Sequence, residues 1–312
     1  MTLCWIIGRG GLLGSALAHA LNQRSSVLYT PAVPFAWHDE AKLNDQIAVT
    51  LSEFAARARQ VSSWEIYWAA GIGAMGSLPA DLSYETAAWK YLLTLTAAND
   101  TLRLIPGRVA FASSAGAIYA GLSTDVINES CDIAPTTPYA FAKLEQERQL
   151  EHFVKSEMPI PALIARISTL YGPGQAGSKR RGLIAHMAGS IVRNRPIQIF
   201  VPFDTVRDYI VADDAAAVMV ETLRARCSPS VAIHIVASGR PTTIAEIVGT
   251  FRRIARRPPL IATSASRLSA LYLRRVQFRS FMTLPTAAPK TSLPVGIAQV
   301  LAAERLYFAR GS

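Results

Sequence analysis

The sequence contains little cysteine and no long apolar run. Its three cysteines, Cys4, Cys131 and Cys227, lie far apart, show no metal-ligand spacing and cannot all pair. This usage is typical of a reducing compartment and excludes a small disulfide scaffold. No apolar run reaches the roughly 18 residues that a membrane-spanning helix needs. Because the apolar start carries Arg9 and regularly spaced glycines, unlike a signal peptide, we expect a soluble, cytoplasmic protein.

Acidic residues are absent from residues 247–303, although the whole chain has 22 Asp and Glu. The chain has a formal net charge of +10, and this stretch carries most of the excess: Arg252, Arg253, Arg256, Arg257, Arg267, Arg274, Arg275, Arg279 and Lys290. Such a surface favours a diphosphate or another anionic partner. A solvated face, or contact with nucleic acid or acidic lipid, is the alternative. Aromatic residues are not interleaved with the basic ones, which argues against a nucleic-acid partner.

Short apolar runs alternate with helical patterns along the chain. Predicted strands cover residues 3–7, 26–29, 65–70, 109–113, 162–167 and 232–236, and predicted helices cover residues 12–21, 84–98 and 138–155. This alternation predicts parallel βαβ units, and the continuous apolar strands fit a sheet covered on both faces. We therefore predict an α/β fold with a Rossmann-type doubly wound parallel sheet. The dinucleotide-binding domain would span residues 1–168, with 207–237 returning to it, and residues 169–206 and 238–312 would form a smaller substrate-binding region.

A glycine-rich turn directly follows the first predicted strand and opens the first helix: Gly8, Arg9, Gly10, Gly11, Leu12, Leu13 and Gly14. Glycine permits a tight turn and lets a pyrophosphate approach the backbone, while the helix N-terminus supplies N–H donors. The turn therefore predicts a dinucleotide site, and a turn used only for packing is the alternative.

The second strand ends at Tyr29-Thr30-Pro31, without the acidic residue that would bind a ribose diol. Arg9 favours a 2′-phosphate in its place, although Asp39 or Asp45 could act from a loop. Both NAD and NADP stay open as the cofactor.

Tyr139 and Lys143 lie four residues apart in a predicted helix, so they share one face. A free tyrosine is a poor base, and lowering its pKa by about three units requires roughly 4 kcal/mol of differential stabilisation. A nearby ammonium and a nicotinium charge could supply it. Ser114, at the end of the preceding strand, could hold the same substrate oxygen. Ser113 is the alternative, and capping the strand end is the structural role open to either serine.

In this order, the motifs resemble the extended short-chain dehydrogenase/reductases, the NAD(P)-dependent epimerase/dehydratase family that modifies nucleotide sugars. The resemblance covers nearly the whole chain: IIGRGGLLGSAL (6–17), WAAG (68–71), FASSAGAIYAG (111–121), NESCDIAPTTPYAFAKLEQE (128–147), ARISTLYGPGQ (165–175), RDYIVADDAA (207–216) and TSLPVGI (291–297). Several ordered motifs are far more specific than any one of them.

The resemblance also implies a role for each matching residue. Leu12 and Leu13 would offer backbone amides to the pyrophosphate, and Ala69, Ala70 and Gly71 would line the adenosine side. Tyr139 would be the acid/base, Lys143 would bind the nicotinamide ribose, and Ser114 would assist at the reacting oxygen. Arg207 would contact the substrate diphosphate, with Arg274 or Arg275 as a second clamp and no metal. An ion pair between Arg207 and Asp208 is the alternative, and a homodimer through the helices at 84–98 and 138–155 is a further expectation.

Three departures from the family pattern limit which of the family's reactions the chain could catalyse. Ala88 stands where an active-site asparagine is expected, and Thr169 where a substrate-binding asparagine is common. Ala115-Gly116 follows the serines where 4,6-dehydratases carry Asp-Glu, which argues against a dehydratase. Three hypotheses follow: a nucleotide-sugar epimerase that uses transient hydride transfer, an NADPH-dependent nucleotide-ketosugar reductase, and a non-catalytic NAD(P)-binding scaffold.

Overall fold

The computed structural model describes residues 1–71, 77, 79–176, 182–257, 259–263, 275–282 and 290–311. Its strands are β1 (Thr2–Ile7), β2 (Val27–Tyr29), β3 (Ser63–Trp68), β4 (Gly107–Ser114), β5 (Val126–Ile127), β6 (Ala162–Ile167), β7 (Thr169–Tyr171), β8 (Ile197–Ile199), β9 (Val206–Val211), β10 (Val231–Val236), β11 (Pro241–Thr243), β12 (Ile261–Thr263) and β13 (Gln277–Phe278). Its helices are α1 (Leu12–Asn22), α2 (Glu40–Ala58), α3 (Pro79–Ala98), α4 (Asp100–Leu104), α5 (Ala115–Ile118), α6 (Pro138–His152), α7 (Leu183–Val192), α8 (Ala212–Arg224), α9 (Ile244–Ala255) and α10 (Leu293–Gly311).

Six parallel strands form the central sheet, in the order β10-β6-β4-β3-β1-β2. From β1 the chain adds β2 on one side, then crosses to add β3, β4, β6 and β10 on the other. A crevice therefore opens at the carboxyl ends of β1 and β3, where doubly wound sheets bind their ligands. The predicted sheet is confirmed, with boundaries that differ by a few residues: α3 begins earlier than predicted, and α6 gives way to a π-helical turn at Phe153–Glu157.

Aromatic side chains fill one face of the sheet. Trp5, Trp64, Trp68, Trp89 and Phe111 are buried there among α2, α3 and α6, and the Trp89 and Phe111 rings stack with centroids 5.3 Å apart. The other face is covered by α1 and α8 through small aliphatic side chains. With both faces covered, continuous apolar strands are the sequence pattern that this sheet requires.

A separate apolar cluster lies outside the sheet, among α7, α9, α10 and the short strands β7 to β9. It includes Tyr171, Met187, Phe251, Ile297 and Leu301, all nearly excluded from solvent. These residues come from both segments predicted as the substrate-binding region, and the division into two regions stays a prediction. None of the helices in the described part of the chain has the length and apolar character needed to cross a bilayer.

Candidate functional site

The glycine turn after β1 combines two tightly packed glycines with an open one. Gly8 has φ +90°, and a Cβ there would lie 2.5 Å from the backbone nitrogen of Ala70. A Cβ on Gly14 would lie 2.1 Å from the Gly8 carbonyl oxygen, whereas one on Gly10 meets nothing within 4 Å. Packing therefore explains Gly8 and Gly14 but not Gly10. An open glycine at a helix N-terminus fits a turn that a phosphate approaches.

The helix after this turn keeps its N-terminal amides free of side-chain caps. Gly11 is the N-cap of α1 and makes no side-chain cap bond, and no acidic residue lies in the first turn. No side chain of the cap therefore competes for these amides, and the amides and the positive end of the helix dipole are available to an anion. The Ala69 amide donates to the Ile7 carbonyl at 2.9 Å, so the end of β3 lies against this turn. These residues fit a dinucleotide pyrophosphate.

The edge of this crevice at β2 carries a basic side chain, and neither β2 nor Thr30 after it contains an acidic residue. Arg9 donates a side-chain hydrogen bond to the Thr30 hydroxyl, so its guanidinium lies at the end of β2. Asp39 accepts a bond from the Lys42 amide as the N-cap of α2, and Asp45 is an exposed residue within that helix. Asp45 therefore lies in a helix and not in a loop, whereas Asp39 precedes the helix, and its action at the cofactor stays a prediction.

Ser114, Tyr139 and Lys143 converge where β4 ends and α6 begins. Thr137 caps α6 and Pro138 occupies its first turn, which places Tyr139 beside the carboxyl end of the sheet. Ser114 lies close enough to Tyr139 to lower the pKa of the phenol. The Lys143 Nζ lies 5.9 Å from the centroid of the Tyr139 ring, and only 4% of this lysine is exposed.

The pKa of Tyr139 is raised, mainly because the phenol is buried. The Lys143 ammonium and the Ser114 hydrogen bond lower it, and the negative charge of Glu85 raises it further. Lys143 thus favours the phenolate, as expected, but in the protein alone burial and Glu85 outweigh it, and the pKa of Tyr139 stays above its ordinary value. Burial and a carboxylate invisible in the local motif outweigh the single ammonium.

The two serines at the end of β4 face different environments. Ser113 is buried and donates to the Glu147 carboxylate at 2.5 Å. Arg166 donates to the same carboxylate at 2.7 Å and to the Tyr119 hydroxyl at 2.6 Å. Neighbouring residues of a strand point to opposite faces, so Ser113 belongs to this buried network while Ser114 reaches Tyr139.

Glu85 is a residue of this site that the sequence reasoning missed. Its Oε1 lies 2.9 Å from the Lys143 Nζ and accepts from the Gln146 amide nitrogen at 3.3 Å. Glu85 lies on α3 one turn before Ala88, where an asparagine was expected, and Ala88 packs in the apolar core. A charged residue one helical turn from the expected position was the available signal.

The predicted substrate arginines are not equivalent. Arg207 lies on β9, partly buried, and donates to the Val206 carbonyl at 2.7 Å. The Asp208 carboxylate accepts from the Ser168 hydroxyl and the Ser238 amide, each at 2.8 Å, and thereby holds the turns after β6 and β10. Arg275 is 67% exposed and pairs with the exposed Asp125 at 3.7 Å. Arg274 lies outside the described residues.

Metal ligands do not gather in the described ranges: no group of three His, Cys, Asp or Glu side chains is placed to hold an ion. The site therefore consists of a phenol, a hydroxyl, an ammonium and a carboxylate beside a glycine turn.

A model of the NAD dependent epimerase/dehydratase family matches residues 4–234, which confirms the resemblance seen in the sequence. The dTDP-4-dehydro-6-deoxyglucose reductase of Escherichia coli is 28% identical over 143 residues, which are 46% of this chain and 44% of that protein. The chain matches less than half the length of this and two other curated relatives.

Solved structures of similar fold extend over almost the whole chain. The UDP-glucose 4-epimerase of Thermus thermophilus, in complex with NAD, has a TM-score of 0.80 at 20% identity over 98% of this chain and 99% of that one. RMD from Pseudomonas aeruginosa, complexed with NADPH, has a TM-score of 0.78 at 19% identity over 98% and 99%. At these identities the likeness shows the fold.

Proposed function

The chain belongs to the NAD dependent epimerase/dehydratase family, and we propose that it is an NAD(P)-dependent epimerase of a nucleotide-activated sugar. The observation that carries this proposal is the convergence of Ser114, Tyr139 and Lys143 where β4 ends and α6 begins, with the Lys143 ammonium 5.9 Å from the Tyr139 ring. The T. thermophilus epimerase has the same fold. The E. coli relative, by contrast, is a reductase. An experiment must therefore decide between epimerisation and reduction.

The glycine turn and the end of β3 would hold the dinucleotide. The amides of Leu12 and Leu13 would bind its pyrophosphate beside the open Gly10, while Ala69, Ala70 and Gly71 would line the adenosine side. Lys143 would bind the nicotinamide ribose through its ammonium. When bound, the nicotinamide supplies a reversible acceptor for a hydride, which no side chain offers.

Tyr139 would move the proton in both halves of the reaction. As the phenolate, which Lys143 and the positive charge of an oxidised nicotinamide would favour together, Tyr139 would accept the proton of a sugar hydroxyl as that carbon is oxidised. It would return this proton when the ketone is reduced. Ser114 would hold the same sugar oxygen through its hydroxyl. Epimerisation requires the sugar to present its other face to the same tyrosine, so the diphosphate must stay bound while the sugar turns.

Arg207 is the favoured residue to hold that diphosphate. Its guanidinium is partly buried, and a guanidinium binds two phosphate oxygens in a fork. Arg275 is a weaker candidate, because its exposed pair with Asp125 lies in solvent. Arg274 stays the other candidate for a second contact with the diphosphate, as the resemblance implies. A nucleotide sugar is thus the proposed partner, and a homodimer the proposed assembly.

An NADPH-dependent ketosugar reductase is the second candidate, favoured by Arg9 at the end of β2. The same residues would serve, with Tyr139 donating its proton to the carbonyl oxygen as it is reduced. The raised pKa of Tyr139 suits that donor role. An enzyme of this kind would consume NADPH with each turnover, whereas an epimerase would not.

The deciding experiment denatures freshly purified protein and identifies the released nicotinamide by chromatography. Stoichiometric NAD supports the epimerase, because that enzyme regenerates its cofactor and can retain it. Protein that is empty but consumes NADPH with a nucleotide ketosugar supports the reductase. Protein that neither retains nor binds a dinucleotide overturns both enzymes.

A further inference from the structure

A buried ion pair connects α3 with the proposed active-site lysine. The Glu85 Oε1 lies 2.9 Å from the Lys143 Nζ, with 2% of the glutamate and 4% of the lysine exposed. The Phe111 ring lies 5.0 Å from the same ammonium, and the Tyr139 ring 5.9 Å. The ammonium is therefore enclosed by a carboxylate and two aromatic rings.

We propose that Glu85 is a positioning residue that keeps the Lys143 ammonium charged and directed toward the ribose of the dinucleotide. This inference rests on the proposed function. An ammonium has three N–H donors. Glu85 accepts one of them, which leaves two for the two hydroxyls of a ribose. Holding the first bond fixes the direction of the other two.

The charge of Glu85 offsets the burial of Lys143. Burial favours the neutral amine, and the Glu85 carboxylate reverses this effect, so the pKa of Lys143 is raised. Glu147 acts in the same direction from α6 but is itself paired with Arg166. Glu85 is therefore the carboxylate that serves this buried ammonium directly as its counter-charge.

The same carboxylate also acts on Tyr139. The charged groups that act on this phenol are Lys143 on its own helix, which lowers the pKa, and Glu85 on α3, which raises it. Ser114 on β4 contributes a neutral hydrogen bond. Glu85 therefore influences the phenol through charge and the ammonium through a direct bond, and the two effects can be separated by substitution.

The test compares Glu85→Gln, which keeps an acceptor oxygen but loses the charge, with Glu85→Ala, which loses both. Dinucleotide affinity is measured by calorimetry with NAD and NADPH. The ionisation of Tyr139 is followed on the protein alone by tyrosinate absorbance, as the difference between each variant and the same variant carrying Tyr139→Phe. Glu304→Gln is the matched control, because Glu304 is equally buried and pairs with Arg193 at 3.0 Å in the separate apolar cluster.

We expect Glu85→Gln to move the Tyr139 titration to lower pH, because the repelling charge is gone. Glu85→Ala should weaken dinucleotide binding about tenfold, the scale of one charge-assisted hydrogen bond. Glu304→Gln should lower only the thermal stability. If both Glu85 variants kept wild-type affinity and the wild-type titration, with lowered stability alone, Glu85 would be structural and the proposal overturned.

Two outcomes separate this inference from the proposed function. Wild-type protein that binds no dinucleotide overturns the proposed function, and with it the ribose contact of Lys143. The Tyr139 titration needs no ligand, so it still tests the influence of Glu85 on the phenol. If Glu85→Ala does not fold, the titration and the affinity of Glu85→Gln decide the question, with affinity expected to fall less than tenfold.

Discussion

Arg9 donates a hydrogen bond to the hydroxyl of Thr30, which joins the glycine turn to the end of β2. In a dinucleotide-binding sheet the ribose diol or 2′-phosphate lies at the end of the second strand, so we propose that Arg9 contacts this part of the cofactor. Since a cation and no acidic residue lies in this position, we expect Arg9 to influence which of the two cofactors binds.

Replacing Arg9 should change the choice of cofactor. We expect Arg9→Ala to weaken NADPH binding about tenfold, the scale of a charge-assisted contact, and to leave NADH binding nearly unchanged. Thr30→Asp should also weaken NADPH binding, because a carboxylate repels the 2′-phosphate. It should strengthen NADH binding, because a carboxylate binds the ribose diol. Calorimetric dissociation constants for both cofactors check this. An equal loss for both would show that Arg9 does not contact the 2′ position.

Tyr139→Phe should abolish most of the activity while the protein stays folded. Loss of a positioned acid/base lowers kcat by a factor of about 10² to 10⁴. The measurement is steady-state turnover with the substrate that the cofactor experiment identifies, and Tyr307→Phe, at an exposed position of α10, is the control. Full activity in Tyr139→Phe would contradict the proposed mechanism.

The two serines of β4 should respond differently to alanine. Ser114→Ala should lower kcat and leave the free energy of unfolding nearly unchanged. Ser113→Ala removes a donor from the buried Glu147 carboxylate, so it should lower the free energy of unfolding by about 1–3 kcal/mol with a smaller effect on kcat. Urea unfolding and turnover of both variants separate these effects, and the reverse pattern would exchange the roles of the two serines.

His234 should make the protein less stable in mild acid. Burial lowers the pKa of this histidine below its ordinary 6.5, and its Nδ1 lies 3.0 Å from the Thr222 hydroxyl. The folded state therefore binds this proton less readily than the unfolded state. The stability from His234 is complete above pH 6.5 and is lost as the pH falls toward the lowered pKa.

Urea unfolding of wild type and His234→Gln, compared above and below pH 6.5, tests this expectation. The variant starts from a lower stability at neutral pH, but its loss on acidification should be smaller. If the free energy of unfolding fell equally with pH in the two proteins, groups other than His234 would cause the acid sensitivity.

The surface between α3 and α6 should form the homodimer contact. A groove of about 470 Å³ lies there. Its lining includes the apolar residues Pro79, Leu82 and Phe141 beside polar ones, and Phe141 is 56% exposed. We expect Phe141→Glu to give a monomer in analytical ultracentrifugation where the wild type gives a dimer, because a charge does not enter an apolar contact without a partner. Phe281→Glu, also at an exposed phenylalanine, is the control. A wild-type monomer would contradict the homodimer.

Local sequence signals were sufficient to predict the sheet and the position of the glycine turn. The turn is recognisable because Gly8 and Gly14 satisfy contacts within one strand–turn–helix unit. Tyr139 and Lys143 are recognisable because one helix fixes their spacing. The family and the fold were predicted from these motifs, and the family model confirms them.

Features that depend on packing between distant elements were not predictable in this way. Glu85 meets Lys143 across 58 residues of sequence, and only the packing of α3 on α6 brings them together. The raised pKa of Tyr139 follows mainly from burial and then from the charge of Glu85, neither of which a motif contains. The exposure of Arg275 likewise depends on the pairing of β13 with β5.

The Asp208 carboxylate binds Ser168 and Ser238, which follow β6 and β10, while Asp208 itself lies on β9. All three are places where the chain passes between the central sheet and the cluster of α7, α9 and α10. One nearly inaccessible carboxylate, with 1% exposed, thus fixes three crossings at a single point. A substitution of this one carboxylate would therefore free the chain at all three crossings at once.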